Sequence, residues 1–158
     1  MSWKIFLLAA IISICASEDD ELMLVEYFFP EDMKDFIFNL NVEEMAIFAE
    51  ISDSQKDGDF LEVMQALAEK SPEMAEKFQN ALFSFAEKVM MLDPEAGRIF
   101  NEIFSKDKKR TARRKMLDVM DKCEDLSPRA KKSLQKHFPE IAESCSDEML
   151  RRKLYYGR

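Results

Sequence analysis

SPEMAEKFQNALFSFAEKVMMLDPEAGRIF, residues 71–100, is the stretch that decides the fold. Ser71 can accept a hydrogen bond from an early helix N–H, and Pro72 lacks an N–H where none is needed. The pair reads as N-cap and first helical residue. Asp93-Pro94-Glu95 repeats the device, so one helix ends near Leu92 and another begins. Met74, Phe78, Ala81, Leu82, Phe85, Ala86, Val89 and Leu92 recur at steps of three and four, the helical period. At about 100° per residue this apolar set covers roughly 200°, twice an ordinary core-facing stripe. Such a helix must touch more than one neighbour or line a cavity, and composition leaves both readings open.

The rest of the composition agrees with helices. The chain has 158 residues, enough for one domain with a core. Gly is 3 and Pro 5, while Leu, Phe, Met, Glu and Lys are abundant, which argues against a β-sandwich or barrel. Residues 1–17 stand apart. Lys4, the apolar run Ile5 to Ile14 and the small-residue exit Cys15-Ala16-Ser17 fit a secretory signal peptide, with an uncleaved anchor as the alternative. The run is short for a membrane span. Cleavage would remove Lys4, leaving 22 basic residues against 31 acidic ones, a net charge of −9. An acidic secreted chain is a poor general binder of nucleic acid.

Cleavage would also leave Cys123 and Cys145 as a pair. An oxidising compartment invites a bridge. Read as the two ends of one straight helix, they would stand about 25 Å apart. A bridge therefore requires the chain to fold back, and Pro139 is the place for it. A zinc site is not expected, because His137 is the only histidine and no paired cysteine spacing occurs.

In chain order, Glu18 to Glu21 reads as an acidic, mobile lead and Leu22 to Phe29 as an apolar approach segment. Pro30-Glu31-Asp32 opens a short helix with Met33, Phe36, Ile37 and Leu40. Asn41 and Glu44 have capping-box spacing before a helix with Met45, Phe48 and Ala49. Ser52 to Asp59 reads as a loop, and Asp59 with Glu62 starts the next helix. Beyond Pro94, the apolar face is Ala96, Ile99, Phe100, Ile103 and Phe104. Helical character resumes from Thr111 to Lys122, and Ser127-Pro128 opens a helix that Pro139 ends or kinks. The expectation is one all-α, compact multi-helix domain of about seven or more helices over residues 18–146. Residues 147–158 form a basic C-terminal tail with room for one short helix and a frayed end from Tyr155.

The inventory for catalysis is poor. No nucleophile motif, P-loop or dinucleotide glycine pattern is present, and the carboxylates cluster at helix starts, where capping explains them. No enzyme and no cofactor are expected. The basic run Lys106, Lys108, Lys109, Arg110, Arg113, Arg114 and Lys115 reads either as a solvated helix face or as a site for anionic headgroups or a ligand carboxylate. Lys109-Arg110 and Arg151-Arg152 also have the form of dibasic processing sites, but the long capped helices between them argue against a peptide precursor. The better clue is apolar. After cleavage the chain would keep 12 Phe and 10 Met, one fewer of each than the full sequence. Phe and Met either fill a core or line a cavity for variable ligands.

Two segments go beyond composition. AEKSPEMAEKFQNALFSFAEKVMMLDPEAGRIFNEI, Ala68 to Ile103, and DLSPRAKKSLQKHFPEIAE, Asp125 to Glu143, resemble the nematode fatty acid- and retinol-binding proteins. FPEDMKDF, Phe29 to Phe36, is a weaker match to that family's opening helix. The resemblance implies an all-α secreted carrier with an internal apolar cavity for long-chain fatty acids and retinol. It implies no cofactor. Cys123, Cys145 and the Tyr-rich basic tail depart from the family pattern.

Helical faces nominate Met64, Leu67, Phe78, Leu82, Phe85, Val89, Phe100, Ile103, Phe104, Met116, Met120, Leu134 and Phe138 as lining residues. Charged headgroups would stay at a portal, because burying an unpaired carboxylate is costly, and Lys108, Lys109 and Arg110 are the candidates there. Expected partners are long-chain fatty acids and retinol, with transient contact to anionic membrane surfaces and no nucleic acid. The rival reading is a secreted helical structural or interaction protein with a solid core and no lipid ligand.

Overall fold

Ser71, Asp93 and Ser127 each cap the helix that the following proline opens. Ser71 accepts from the Met74 N–H at 3.3 Å, Asp93 from the Glu95 N–H at 2.9 Å and Ser127 from the Ala130 N–H at 3.3 Å. Asn41 and Glu44 complete a reciprocal capping box, both bonds at 2.9 Å. The computed structural model describes residues 19–54, 60–104 and 109–157. Their helices are α1 (Asp19–Phe28), α2 (Glu31–Phe38), α3 (Val42–Ser54), α4 (Phe60–Lys70), α5 (Pro72–Met90), α6 (Pro94–Gly97), α7 (Ile99–Ile103), α8 (Ala112–Asp125), α9 (Pro128–His137), α10 (Pro139–Cys145) and α11 (Glu148–Tyr156). No strand occurs among the described residues. The signal-peptide segment 1–17 and residues 55–59, with Gly58 and the cap at Asp59, lie outside them, while Ser52 to Ser54, expected as the start of the Gly58 loop, belong to α3.

The packing has two centres. α5 lies against α2 and α4, and α8 lies against α1, α7, α10 and α11. The long helix is therefore not the only organiser; α8 gathers the second half of the chain. On α5 the fully buried residues are Met74, Ala75, Phe78, Leu82 and Phe85. They span roughly 100°, an ordinary stripe. Ala81, Ala86 and Val89 widen it but are only half-buried.

Four expectations are corrected by the packing. Residues from Asp19 to Phe28 form helix α1 rather than a mobile lead and an approach segment. Leu24, Val25 and Phe28 sit at helical spacing and are buried against α8 and α10, and Asp20 pairs with Arg113 at 2.8 Å. The helix opened by Pro94 is interrupted at Arg98, giving α6 and α7, though all five residues of its expected apolar face are buried. The basic tail is not frayed from Tyr155. Helix α11 runs to Tyr156, Asp147 caps it through the Met149 and Leu150 N–H groups, and Gly157 ends it at φ 66°, in the left-handed region. Leu150 and Leu154 are buried, and Arg151 pairs with Asp121 and Glu124 at 2.6 Å.

The fourth correction concerns Cys123 and Cys145, which are disulfide-bonded with Cα atoms 6.0 Å apart. Cys123 lies in the last turn of α8, not ahead of a single long helix. The chain turns at Leu126, runs out along α9, breaks at Phe138 (φ −139°, ψ 65°) and returns along α10. The fold-back at Pro139 brings the two sulfurs together.

Candidate functional site

The described interior is built from two aromatic nests, both anchored on α5. Phe78 meets Phe36 of α2 at 5.2 Å and Phe48 of α3 at 5.7 Å, measured between ring centroids. Phe36 and Phe48 close the triangle at 5.7 Å. Two helical turns further on, Phe85 meets Phe100 of α7 at 5.2 Å, Phe104 at 5.7 Å and Phe138 at 6.0 Å. Phe100 and Phe138 approach to 4.8 Å, and Phe29 reaches Phe104 at 5.3 Å. Most of these pairs are edge-to-face, the arrangement that ring quadrupoles favour.

Of the predicted lining residues, Leu67, Phe78, Leu82, Phe85, Phe100, Ile103, Phe104, Met116, Met120, Leu134 and Phe138 are buried. Met64 and Val89 are partly buried and pack against the same core. Phe85, Phe100, Phe104 and Phe138 are brought together directly; Phe78 stands in the other nest. Sequence reasoning left out Phe29, Phe36 and Phe48. Their helical faces were visible from the Pro30 and Asn41 starts, but nothing local says that α2 and α3 close on Phe78. Two clefts open at the surface. One, of about 340 Å³, is lined by Cys123, Cys145, Leu134 and Lys131 among others. The other, of about 410 Å³, runs beside Asp32, Phe36, Glu44 and Lys77.

The basic run is largely engaged within the fold. Arg110 Nη1 donates to Glu102 Oε2 at 2.7 Å and Asp118 Oδ2 at 3.0 Å. Arg114 Nε pairs with Asp118 Oδ1 at 3.0 Å, and Lys122 Nζ donates to Glu102 Oε1 at 2.6 Å. This lattice ties α7 to α8. The Lys122 ammonium, and then the Arg110 guanidinium, hold the Glu102 carboxyl below the usual carboxylate range. Of the portal candidates, Lys109 is exposed, Arg110 is held by the two carboxylates and Lys108 lies outside the described residues. His137 is half-buried at the end of α9, away from any catalytic grouping among the described residues. No group of His, Cys, Asp and Glu suited to a metal ion occurs among them either.

An all-helical frame is what the family resemblance implies, and the described residues form one. The sequence model of a family described as "Nematode fatty acid retinoid binding protein (Gp-FAR-1)" matches residues 26–154. The chain belongs to this nematode fatty acid retinoid binding protein family. The match runs from α1 into α11, so it takes in both aromatic nests and the α7–α8 ion-pair lattice. No curated protein and no solved structure matches the chain. The family is a lipid-binding one, not an enzyme family. No helix among the described residues is long and apolar enough to cross a membrane.

Proposed function

We propose that the protein is a secreted carrier that holds a long-chain fatty acid, and retinol as a second ligand, among the aromatic residues of its interior. The observation that carries this reading is the family match over residues 26–154, which spans the Phe nests on α5. The driving force is transfer of the acyl chain from water, worth about 0.8 kcal/mol per buried CH₂ before ordering costs. The rings around Phe85 are in mutual contact, so entry of a chain requires them to part. Met116 and Met120, unbranched and buried in the same core, are suited to such repacking. The ligand carboxylate stays at the surface, with Lys108, Lys109 and Arg110 as its proposed neighbours. Arg110 would have to share its guanidinium with Glu102 and Asp118. Secretion rests on the signal-like segment 1–17.

Two tests apply. Titration of delipidated protein with a fluorescent fatty acid, then displacement by oleate and by retinol, is expected to give saturable, blue-shifted emission reversed by both. Reversal by oleate alone would remove retinol. Neutralising Lys108, Lys109 and Arg110 together is expected to slow ligand transfer to anionic vesicles, and unchanged transfer would end their portal role. The ring contacts of 4.8–6.0 Å around Phe85 favour one second reading, a solid-core helical interaction protein. Absence of any saturable signal from folded protein would select it.

A further inference from the structure

Arg110, Arg113 and Arg114 face carboxylates of α1, α7 and α8. Helix α9, PRAKKSLQKH, is different. It carries Arg129, Lys131, Lys132 and Lys136 and no acidic residue, in a chain of formal net charge −8. Arg129, Lys132, Ser133 and Lys136 stand at i, i+3, i+4 and i+7 and so share one face. Two of them fix where that face lies. Ser133 Oγ accepts from the Asp93 N–H at 2.9 Å, and Arg129 Nε meets Asp93 Oδ2 at 2.9 Å. Asp93 follows directly on the end of α5, where Met90 and Met91 stand 85% and 69% exposed. Lys132 and Lys136 are exposed and make no hydrogen bond or ion pair among the described residues.

We infer that this corner, Met90 and Met91 with Lys132 and Lys136 alongside, is the surface by which the protein docks on an anionic lipid bilayer. Two unbranched apolar side chains left in water gain by entering the headgroup region. The lysines gain by meeting lipid phosphates. Of the acidic residues near the corner, Asp93 is paired with Arg129, while Glu87, one helical turn before Met90 and Met91, opposes the docking; charges beyond about 8 Å are screened at physiological ionic strength. A purely polyanionic partner such as nucleic acid would use the lysines and leave the methionine pair unexplained. The purpose of the docking rests on the carrier reading; its test does not.

The experiment is co-sedimentation of ligand-free protein with vesicles of phosphatidylcholine plus phosphatidylglycerol, against phosphatidylcholine alone. The protein is expected to partition onto the anionic vesicles and to be released by high salt. The double variant Lys132→Gln/Lys136→Gln is expected to lose partitioning about 20- to 30-fold, since each lysine near an anionic surface contributes roughly fivefold. Met90→Ser/Met91→Ser is expected to weaken it too, while Lys153→Gln on α11 leaves it unchanged; circular dichroism checks that each variant is folded. Equal partitioning onto both vesicle types, or a lysine variant that binds like the parent, would overturn the proposal. So would methionine variants that bind like the parent, or tighter capture by a DNA oligonucleotide than by the anionic vesicles. Fatty acid titration of the same proteins is read separately, so that failed carriage and failed docking are distinguished.

Discussion

Glu95 and Ser127 are joined twice: the Glu95 carboxylate accepts from the Ser127 backbone N–H at 3.0 Å and from its hydroxyl at 2.5 Å. A few residues away, the Asp93 N–H donates to Ser133 at 2.9 Å. The starts of α6 and α9, two Pro-opened helices, are thus fastened to each other through a pair 32 residues apart in sequence, as well as capped locally. This clasp places Phe138, which follows α9, against Phe85 and Phe100.

Ser127→Ala removes both the α9 cap and the hydroxyl bond to Glu95. It is expected to destabilise the protein by about 1–2 kcal/mol. Chemical denaturation checks this, and an unchanged midpoint would show that the clasp contributes nothing.

Acid should loosen the same region. The Ser127 hydroxyl, and then its N–H, lower the Glu95 carboxyl, as Lys122 and Arg110 lower that of Glu102. Near pH 4.3, the ordinary Glu value, unfolded carboxyls take up protons while these two stay ionised in the fold. Their contribution is therefore complete above that range and is lost as pH falls through their lowered folded values. Melting temperature against pH should fall more steeply for the parent than for Glu102→Gln. Parallel curves would contradict the assignment.

The disulfide closes α8 to α10 across a sequence separation of 22. Closure of a loop of that length accounts for about 3 kcal/mol in the chain-entropy account. Cys123→Ser/Cys145→Ser is expected to shift denaturant unfolding by this amount, and dithiothreitol to do the same to the parent only.

Phe85 touches the rings of Phe100, Phe104 and Phe138 and is buried, whereas Phe83, two residues earlier on α5, is exposed. Phe85→Ala should cost about 3–5 kcal/mol and Phe83→Ala less than about 0.5 kcal/mol. Equal losses in urea unfolding would contradict the packing described.

Helix starts were legible because their signals are local. Ser71, Asp93, Ser127 and the Asn41–Glu44 box each act within four residues, and each reading holds in the fold. Most of the interior was legible for the same reason, since helical period alone placed Phe78, Phe85, Phe100 and Phe138 on buried faces. What was missed depends on distant pieces of chain. Helix α1 opens with Asp19 and Asp20 and carries a short apolar stripe, so it gains stability only by docking on α8. The Phe36–Phe48–Phe78 triangle needs α2, α3 and α5 to converge. The engagement of Arg110 needs Glu102 and Asp118 from two different helices, and the sulfur pair needs the break at Phe138. None of these is written in a window of a few residues.

The most direct test of the carrier claim uses the methionines as reporters. Met116 and Met120 are buried in the same apolar core as Phe85, on α8, which packs against α7, while Met149 is 81% exposed on α11. With methyl-labelled methionine, addition of oleate to delipidated protein is followed by NMR. An acyl chain taken into the interior should saturably shift the Met116 and Met120 methyl resonances and leave Met149 where it was. Buried methyl signals that stay unmoved up to excess oleate, in a protein shown to be folded, would contradict the account.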